Sequence, residues 1–215
     1  MTYGAGRTVR VDGLVLAGGL SRRFGSDKRL ALFDGNELVR LAASKLASVC
    51  DGIVYVGTGE RRERLPVSGL TVGLDDDPRG RGPLGGIAAA LRRSRNGVLV
   101  LACDLPLVRT STLERLVRTA RRGQRAAALR SGAGWEPLVA WYSRAALNVV
   151  ESELRSAKPS PYSVLERVGA VALAVMDRCE VVNVNTPGDL NAARIARAER
   201  IERAERIERT ERIKE

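Results

Sequence analysis

Histidine is missing altogether from this chain of 215 residues. That absence excludes Ser-His-Asp and Cys-His catalysis, imidazole metal ligands and imidazole general bases. Chemistry is left to carboxylates, lysine, arginine, backbone amides and a hard metal ion. Cysteine is scarce. Cys50, Cys103 and Cys179 are odd in number and far apart, with no Cys-x-x-Cys, so neither a disulfide framework nor a zinc knuckle is supported. Aromatic residues make up 4%, too few for the stacking platforms of a nucleic-acid binder. No apolar run approaches membrane-spanning length, and Met1 to Arg7 carries no cleavable-signal pattern. The expectation is a cytoplasmic protein with neither membrane nor nucleic acid as partner. Lysine is also rare: the 36 cationic residues include only Lys28, Lys45, Lys158 and Lys214.

What is present is a net charge of +11, which favours an anionic partner such as a nucleotide or a phosphorylated small molecule. The most telling stretch runs from Leu14 to Lys28, Leu-Val-Leu-Ala-Gly-Gly-Leu-Ser-Arg-Arg-Phe-Gly-Ser-Asp-Lys. An apolar strand opens at Gly18 and Gly19 into a polar loop. Glycine backbones let a ligand approach the main chain, and their N–H groups can face an anion. Arg22, Arg23 and Lys28 bring the counter-charge. The spacing is not that of a P-loop. The formal Gly-x-Gly-x-x-Gly at Gly80 to Gly85 follows the acidic turn Asp75-Asp76-Asp77 rather than a strand, which argues against a dinucleotide site there.

Strand and helix signals alternate along the chain. Strands are expected at Asp12 to Ala17, Gly52 to Gly57, Leu70 to Leu74, Val98 to Cys103, Ala126 to Arg130, Leu138 to Tyr142, Val171 to Met176 and Val181 to Asn185. Helices are expected at Asn36 to Cys50, Leu84 to Arg95, Ser111 to Arg121, Ala145 to Arg155 and Tyr162 to Val168. This pattern predicts a three-layer α/β/α fold around a mostly parallel, Rossmann-like sheet. Ligands in such folds bind at the carboxyl ends of the strands. The glycine loop, the Asp75 turn and Cys103-Asp104 all fall at such ends. A domain over 1–190 is followed by a charged helical extension over 191–215, built on a hexapeptide repeat with Glu-to-Arg pairs four apart. The isoleucines of that repeat do not share a helix face, so it makes no heptad seam.

Four more segments carry candidate chemistry. Gly82-Pro83-Leu84-Gly85-Gly86 makes a rigid glycine-flanked loop able to press on a flat ligand. Asp104, after the most apolar strand, is placed to hold Mg²⁺, which takes one or two carboxylates plus substrate phosphates. Cys103 reads as packing, since no base is available to activate it. Glu136 in Trp135-Glu136-Pro137-Leu138 is a candidate contact for a second substrate. Asn183 and Asn185 are expected on one face of a strand end, where amides can assist metal or phosphate binding, and Thr186-Pro187 makes a helix start.

In their order, LAGGLSRRFGSDK, GPLGGI, CDLP, EPL and NVNTPGDL resemble the molybdenum cofactor guanylyltransferases, within the nucleotidyltransferases of the GT-A-like fold. The resemblance spans roughly Asp12 to Leu190. It implies transfer of GMP from GTP to the terminal phosphate of molybdopterin, with Mg²⁺ and release of pyrophosphate, and recipient molybdo- or tungstoenzymes as partners. Leu16, Ala17, Gly18 and Gly19 would then hold the nucleotide, with Arg23 and Lys28 on its phosphates. Asp75 would sit at the guanine or ribose, with Gly82 and Gly86 beside it. Asp104 would bind Mg²⁺, assisted by Asn183 or Asn185, and Glu136 would face the second substrate. Arg23, Lys28 and Asp104 would be the catalytic set. Gly57-Thr58-Gly59 stands where the family pattern carries an asparagine. Related readings keep the reaction class: a molybdopterin cytidylyltransferase, a cobinamide-phosphate guanylyltransferase or a sugar-phosphate nucleotidyltransferase. A different class is a non-catalytic protein that binds or delivers the cofactor.

Overall fold

A computed structural model describes residues 9–18, 24–25, 27–58, 71–74 and 80–212. Its centre is a seven-stranded sheet made of β1 (Asp12–Leu16), β4 (Val54–Gly57), β5 (Thr71–Leu74), β6 (Gly97–Ala102), β7 (Ala126–Ser131), β8 (Gly134–Ser143) and β9 (Val171–Ala174), in the order β5-β4-β1-β6-β8-β7-β9. A small hairpin of β2 (Leu32–Phe33) and β3 (Asn36–Glu37) stands apart from it. Six α-helices complete the described residues: α1 (Leu38–Val49), α2 (Pro83–Arg93), α3 (Thr110–Arg121), α4 (Leu147–Leu154), α5 (Pro161–Val168) and α6 (Pro187–Arg212).

The layering follows from side-chain alternation along the strands. In β6, Leu99 and Leu101 pack with α1 and α3, while Val98 and Val100 pack with α2 and the pair α4–α5. All four side chains are fully buried, which is why this strand reads as an unbroken apolar run. The helices repeat the logic at their own period. Leu84, Ile87 and Leu91 lie on one face of α2, and Val39, Ala42 and Leu46 on one face of α1. Trp141 and Tyr142 on β8 enter opposite layers, and each finds a carbonyl: Trp141 Nε1–H donates to Gln124 O at 3.0 Å and Tyr142 O–H to Pro137 O at 3.0 Å.

β5, β4, β1 and β6 are parallel neighbours. β8 runs antiparallel to both β6 and β7, and β9 returns parallel to β7. The short turn between β7 and β8 permits only an antiparallel pair, and a register shift follows Ala128. Thus β8 is the one reversed strand in a mostly parallel sheet. The carboxyl ends of β1 and β6, the start of β8 and the N-termini of α2 and α6 share one edge.

Three expectations are corrected. Val181 to Asn185 is not a strand: Asp177 caps a 3-10 turn at Arg178–Val181, and the chain then runs extended without joining the sheet. Val184 N–H donates instead to Asp104 O at 2.8 Å, so the segment lies along the loop after β6 and does not extend the sheet at β9. The helix expected from Asn36 begins at Leu38, because Asn36 and Glu37 pair with Leu32 and Phe33. The helix expected from Ala145 opens as a 3-10 turn, Arg144–Ala146, before α4. The remaining boundaries agree within two residues, apart from the start of β8, at Gly134 rather than the expected Leu138, and the Leu70 end, which lies outside the described residues. No described helix is long and apolar enough to cross a membrane.

Candidate active site

β1 ends between its two neighbours. Leu16 O accepts from Cys103 N–H at 3.0 Å, and Ala17 N–H donates to Gly57 O at 2.8 Å. Gly18 leaves the sheet exposed to solvent. The chain re-enters at Asp27, whose carboxylate caps the 3-10 turn Lys28–Leu30 by accepting from Arg29 N–H at 3.1 Å. The same carboxylate holds the buried Arg29 guanidinium through Nε at 2.8 Å. This double use of Asp27 sets the backbone of Lys28 and so the direction of its side chain.

The Lys28 ammonium donates to Asp104 Oδ2 at 2.8 Å and to Asn185 Oδ1 at 2.9 Å. Three segments far apart in the chain, after β1, after β6 and before α6, therefore meet at one cation. Asp104 Oδ1 is buried and has no hydrogen-bond partner among the described residues. A buried carboxylate oxygen left open beside a filled one is costly unless a ligand uses it. It suits a hard divalent cation that takes one or two carboxylates and finishes its shell on substrate phosphates. The donor set also suits that ion rather than an all-protein cage, since no group of three His, Cys, Asp or Glu side chains converges among the described residues.

The approach to Asn185 is shaped by a reciprocal helix cap. Asp189 Oδ2 accepts from the N–H groups of Asn185 at 2.9 Å and Thr186 at 2.8 Å, while Thr186 Oγ1 accepts from Asp189 N–H at 3.1 Å. Those hydrogen bonds, that from Asn185 first, hold the Asp189 carboxyl below its usual range. Val184 N–H donates to Asp104 O at 2.8 Å, so the asparagine segment lies along the Asp104 loop. Cys103 beside it is buried, and burial, reinforced by Asp104, pushes its thiol up to about 12. It is packing, not an activated nucleophile.

The expected residues distribute unevenly over this edge. Lys28, Asp104 and Asn185 come together. Asn183 is exposed and makes no hydrogen bond to Lys28 or Asp104. Gly82 caps α2 at φ +62 with Pro83 in the first helical position, so α2 aims its N-terminal amides at this edge. Gly86 is buried one turn on. Glu136 starts β8 beyond its last pair with β6, at the same edge, and accepts from Ser131 Oγ at 3.1 Å rather than from Lys28. Burial raises its carboxyl above the usual range, against the Ser131 bond. Gly19, Arg22, Arg23, Asp75, Asp76 and Asp77 lie outside the described residues.

Two residues escaped sequence reasoning. Lys45 on α1 donates to Pro106 O at 2.5 Å and Val108 O at 2.7 Å, and Arg200 on α6 donates to Leu107 O at 3.2 Å. The scarcity of lysine marks Lys45 as it marks Lys28. Nothing in the repeat singles out Arg200.

A sheet of this order, with a glycine exit after β1 and a lysine–aspartate pair at the carboxyl edge, is the arrangement of a nucleotidyltransferase. Residues 13–175 match the MobA-like NTP transferase domain, and the chain belongs to that family. A protein of Synechococcus elongatus named as a probable molybdenum cofactor guanylyltransferase is 34% identical over 192 residues, covering 85% of this chain and 97% of that one. The molybdopterin-guanine dinucleotide biosynthesis protein A of Archaeoglobus fulgidus superposes with a TM-score of 0.72 at 25% identity, over 88% of this chain and 100% of that one. A Mycobacterium tuberculosis protein solved in complex with manganese shares the fold, with a TM-score of 0.63 at 20% identity over 87% of this chain and 98% of that one.

Proposed function

We propose that this enzyme transfers GMP from GTP to the terminal phosphate of molybdopterin and releases pyrophosphate. The observation that carries the reading is the meeting of Lys28, Asp104 and Asn185, with one buried Asp104 oxygen open for a ligand. The curated relative named for this activity, aligned over most of both chains, supports the choice of substrates. In the reaction an oxygen of the molybdopterin phosphate forms a bond to the α-phosphorus of GTP, and the bond from that phosphorus to the bridging oxygen of pyrophosphate breaks. The attacking group is already an anion at neutral pH, so no strong base is needed and the lack of histidine is no obstacle.

Lys28 brings a positive charge to the transferring phosphate, as does Arg23 in this reading. The N-terminal amides of α2, with Gly82 and Gly86, and the exit Leu16-Ala17-Gly18-Gly19 bind and orient the nucleotide, with Asp75 at its guanine or ribose. Asp104 would hold Mg²⁺, with Asn185 and Asn183 nearby, and the bound ion would offset the charge that builds on the phosphates. Glu136 would face the molybdopterin. In this reading residues 1–190 form the catalytic unit and 191–215 an extension whose first turns brace it. The enzyme works in the cytoplasm and serves molybdo- or tungstoenzymes.

The test is thermal unfolding with Mg²⁺ and each of GTP, ATP, CTP and UTP, followed by pyrophosphate release with molybdopterin. At about a hundred times its Kd, GTP is expected to stabilise the fold by roughly 2.7 kcal/mol. Stabilisation by CTP alone would replace the substrate. GTP binding without pyrophosphate release would make the protein a carrier.

A further inference from the structure

The loop that presents Asp104 is held by its carbonyls. Between β6 and α3 the chain turns through Leu105 and Val108, whose N–H groups donate to Ala102 O and Leu105 O, both at 3.3 Å. The carbonyls of Pro106, Leu107 and Val108 each meet a cation. Lys45 Nζ takes Pro106 O and Val108 O, and the Arg200 guanidinium takes Leu107 O. Three consecutive carbonyls are thus satisfied by charged side chains from two helices, α1 and α6, which pack together with Leu107 of the loop.

Arg200 belongs to a series. Arg194 Nη2 donates to Leu32 O at 2.7 Å, Arg197 pairs with Asp34, and Arg200 reaches Leu107 O. A spacing of three keeps these arginines along one side of α6. The helix therefore spans the β2–β3 hairpin and the Asp104 loop. Its first turn also carries the Asp189 cap that shapes the approach to Asn185. One rigid element thus ties together Asp104 and Asn185, the two groups shown meeting at Lys28.

We propose that Lys45 and Arg200 are positioning residues for Asp104: they hold its loop so that the carboxylate keeps its place beside Lys28 and Asn185. The proposal rests on the reading of Asp104 as the carboxylate that serves the cation and the nucleotide phosphates. Neither side chain reaches Asp104 itself. Their effect passes through the peptide units of residues 106–108. The half-buried Lys45 supports the claim on other grounds: burial, with Arg200 nearby, lowers its pKa to about 8, so the ammonium is kept there at a cost. A structural turn can satisfy its carbonyls with water at no such cost. Fixing the turn to within a fraction of an ångström requires the cations.

The experiment compares Arg200→Ala, Arg200→Lys and Lys45→Met with wild type, and uses Arg203→Ala as a control on the same helix. Mn²⁺ affinity is read by electron paramagnetic resonance, and kcat and KM for GTP by pyrophosphate release. Arg200→Ala and Lys45→Met are each expected to weaken Mn²⁺ binding and lower kcat about tenfold, the low end for loss of a group behind a metal ligand. KM for GTP should stay near wild type. Arg200→Lys should recover most of the loss and Arg203→Ala should match wild type. Unchanged Mn²⁺ affinity and kcat in Arg200→Ala would overturn the proposal, as would an equal loss in Arg203→Ala. If Lys45→Met fails to fold, the Arg200 pair decides alone. Should wild type bind neither Mn²⁺ nor nucleotide, the functional reading falls. The positioning claim is then judged by amide exchange at Leu105 and Val108, which Arg200→Ala should accelerate; unchanged exchange sinks it separately.

Discussion

The Lys28 ammonium lies 2.8 Å from Asp104 Oδ2, although 76 residues separate the two in the chain. The contact exists because β1 and β6 are sheet neighbours in parallel register, Leu16 opposite Ala102, so both residues leave the sheet at the same edge. Each side chain is mostly shielded, with 13% and 20% exposure, so the pair is screened less than a surface ion pair. The second Asp104 oxygen is buried and has no hydrogen-bond partner among the described residues.

Asp104→Ala should abolish turnover, by about a thousandfold or more, as expected when a group that serves developing phosphate charge is removed. The fold should survive, because the loop is held by its main chain and not by this carboxylate. Pyrophosphate release and circular dichroism check the two halves. Turnover within tenfold of wild type would remove Asp104 from the site.

Lys28→Ala should lower kcat/KM for GTP about a hundredfold, the loss of one preorganised charge at the transferring phosphate. Some of that loss should appear in KM if, as proposed, the ammonium faces the nucleotide before reaction. Steady-state kinetics over a GTP series measures the split. Unchanged parameters would contradict the role given to Lys28.

Gly82→Ala should destabilise the protein by about 1 kcal/mol. The cause is backbone conformation alone, because φ is +62 and an added Cβ would meet nothing within 4 Å. Urea unfolding gives the number. GTP affinity should fall as well, because the α2 N-terminus would shift from the edge it faces. A neutral result in both would show that the turn tolerates a side chain.

Lys45 gives a pH dependence with a definite sign. The folded chain releases its proton near pH 8, whereas the unfolded chain keeps it to the ordinary value of 10.5. Between those values the unfolded state binds more protons, so stability rises with pH. The penalty is present in full below pH 8. Burial pushes the Cys50 and Cys103 thiols up to about 12, and they act in the opposite sense above pH 9. The clean window is therefore pH 8 to 9. Wild type should gain stability there by on the order of 1 kcal/mol relative to Lys45→Met, read by urea unfolding at each pH. Parallel curves would show that Lys45 holds its proton as an exposed lysine does.

Local residues already determined much of this protein. An apolar run closed by Gly18 is a strand end wherever it occurs, because glycine backbone freedom and the loss of apolar side chains are properties of adjacent residues. The same holds for the buried run Val98 to Ala102, the Pro83 helix start and the Thr186-Pro187 start of α6. The alternation of these signals was enough for a layered α/β fold, and the LAGG and CDLP segments marked the edge at which Lys28, Asp104 and Asn185 meet.

Tertiary structure decided the rest, for reasons that no neighbouring residue encodes. Val181 to Asn185 has strand-like composition, yet the Asp177-capped turn and the hydrogen bond from Val184 N–H to Asp104 O lead the segment along the Asp104 loop and not onto the sheet. Of the two asparagines, only Asn185 reaches Lys28, because the Asp189 cap turns its peptide toward the ammonium. Lys45 and Arg200 belong to the Asp104 loop only through hydrogen bonds that cross 61 and 93 residues of chain. A charge on a helix surface carries no mark of the carbonyl it will find. Only the packing of that helix against a particular loop makes it part of a site.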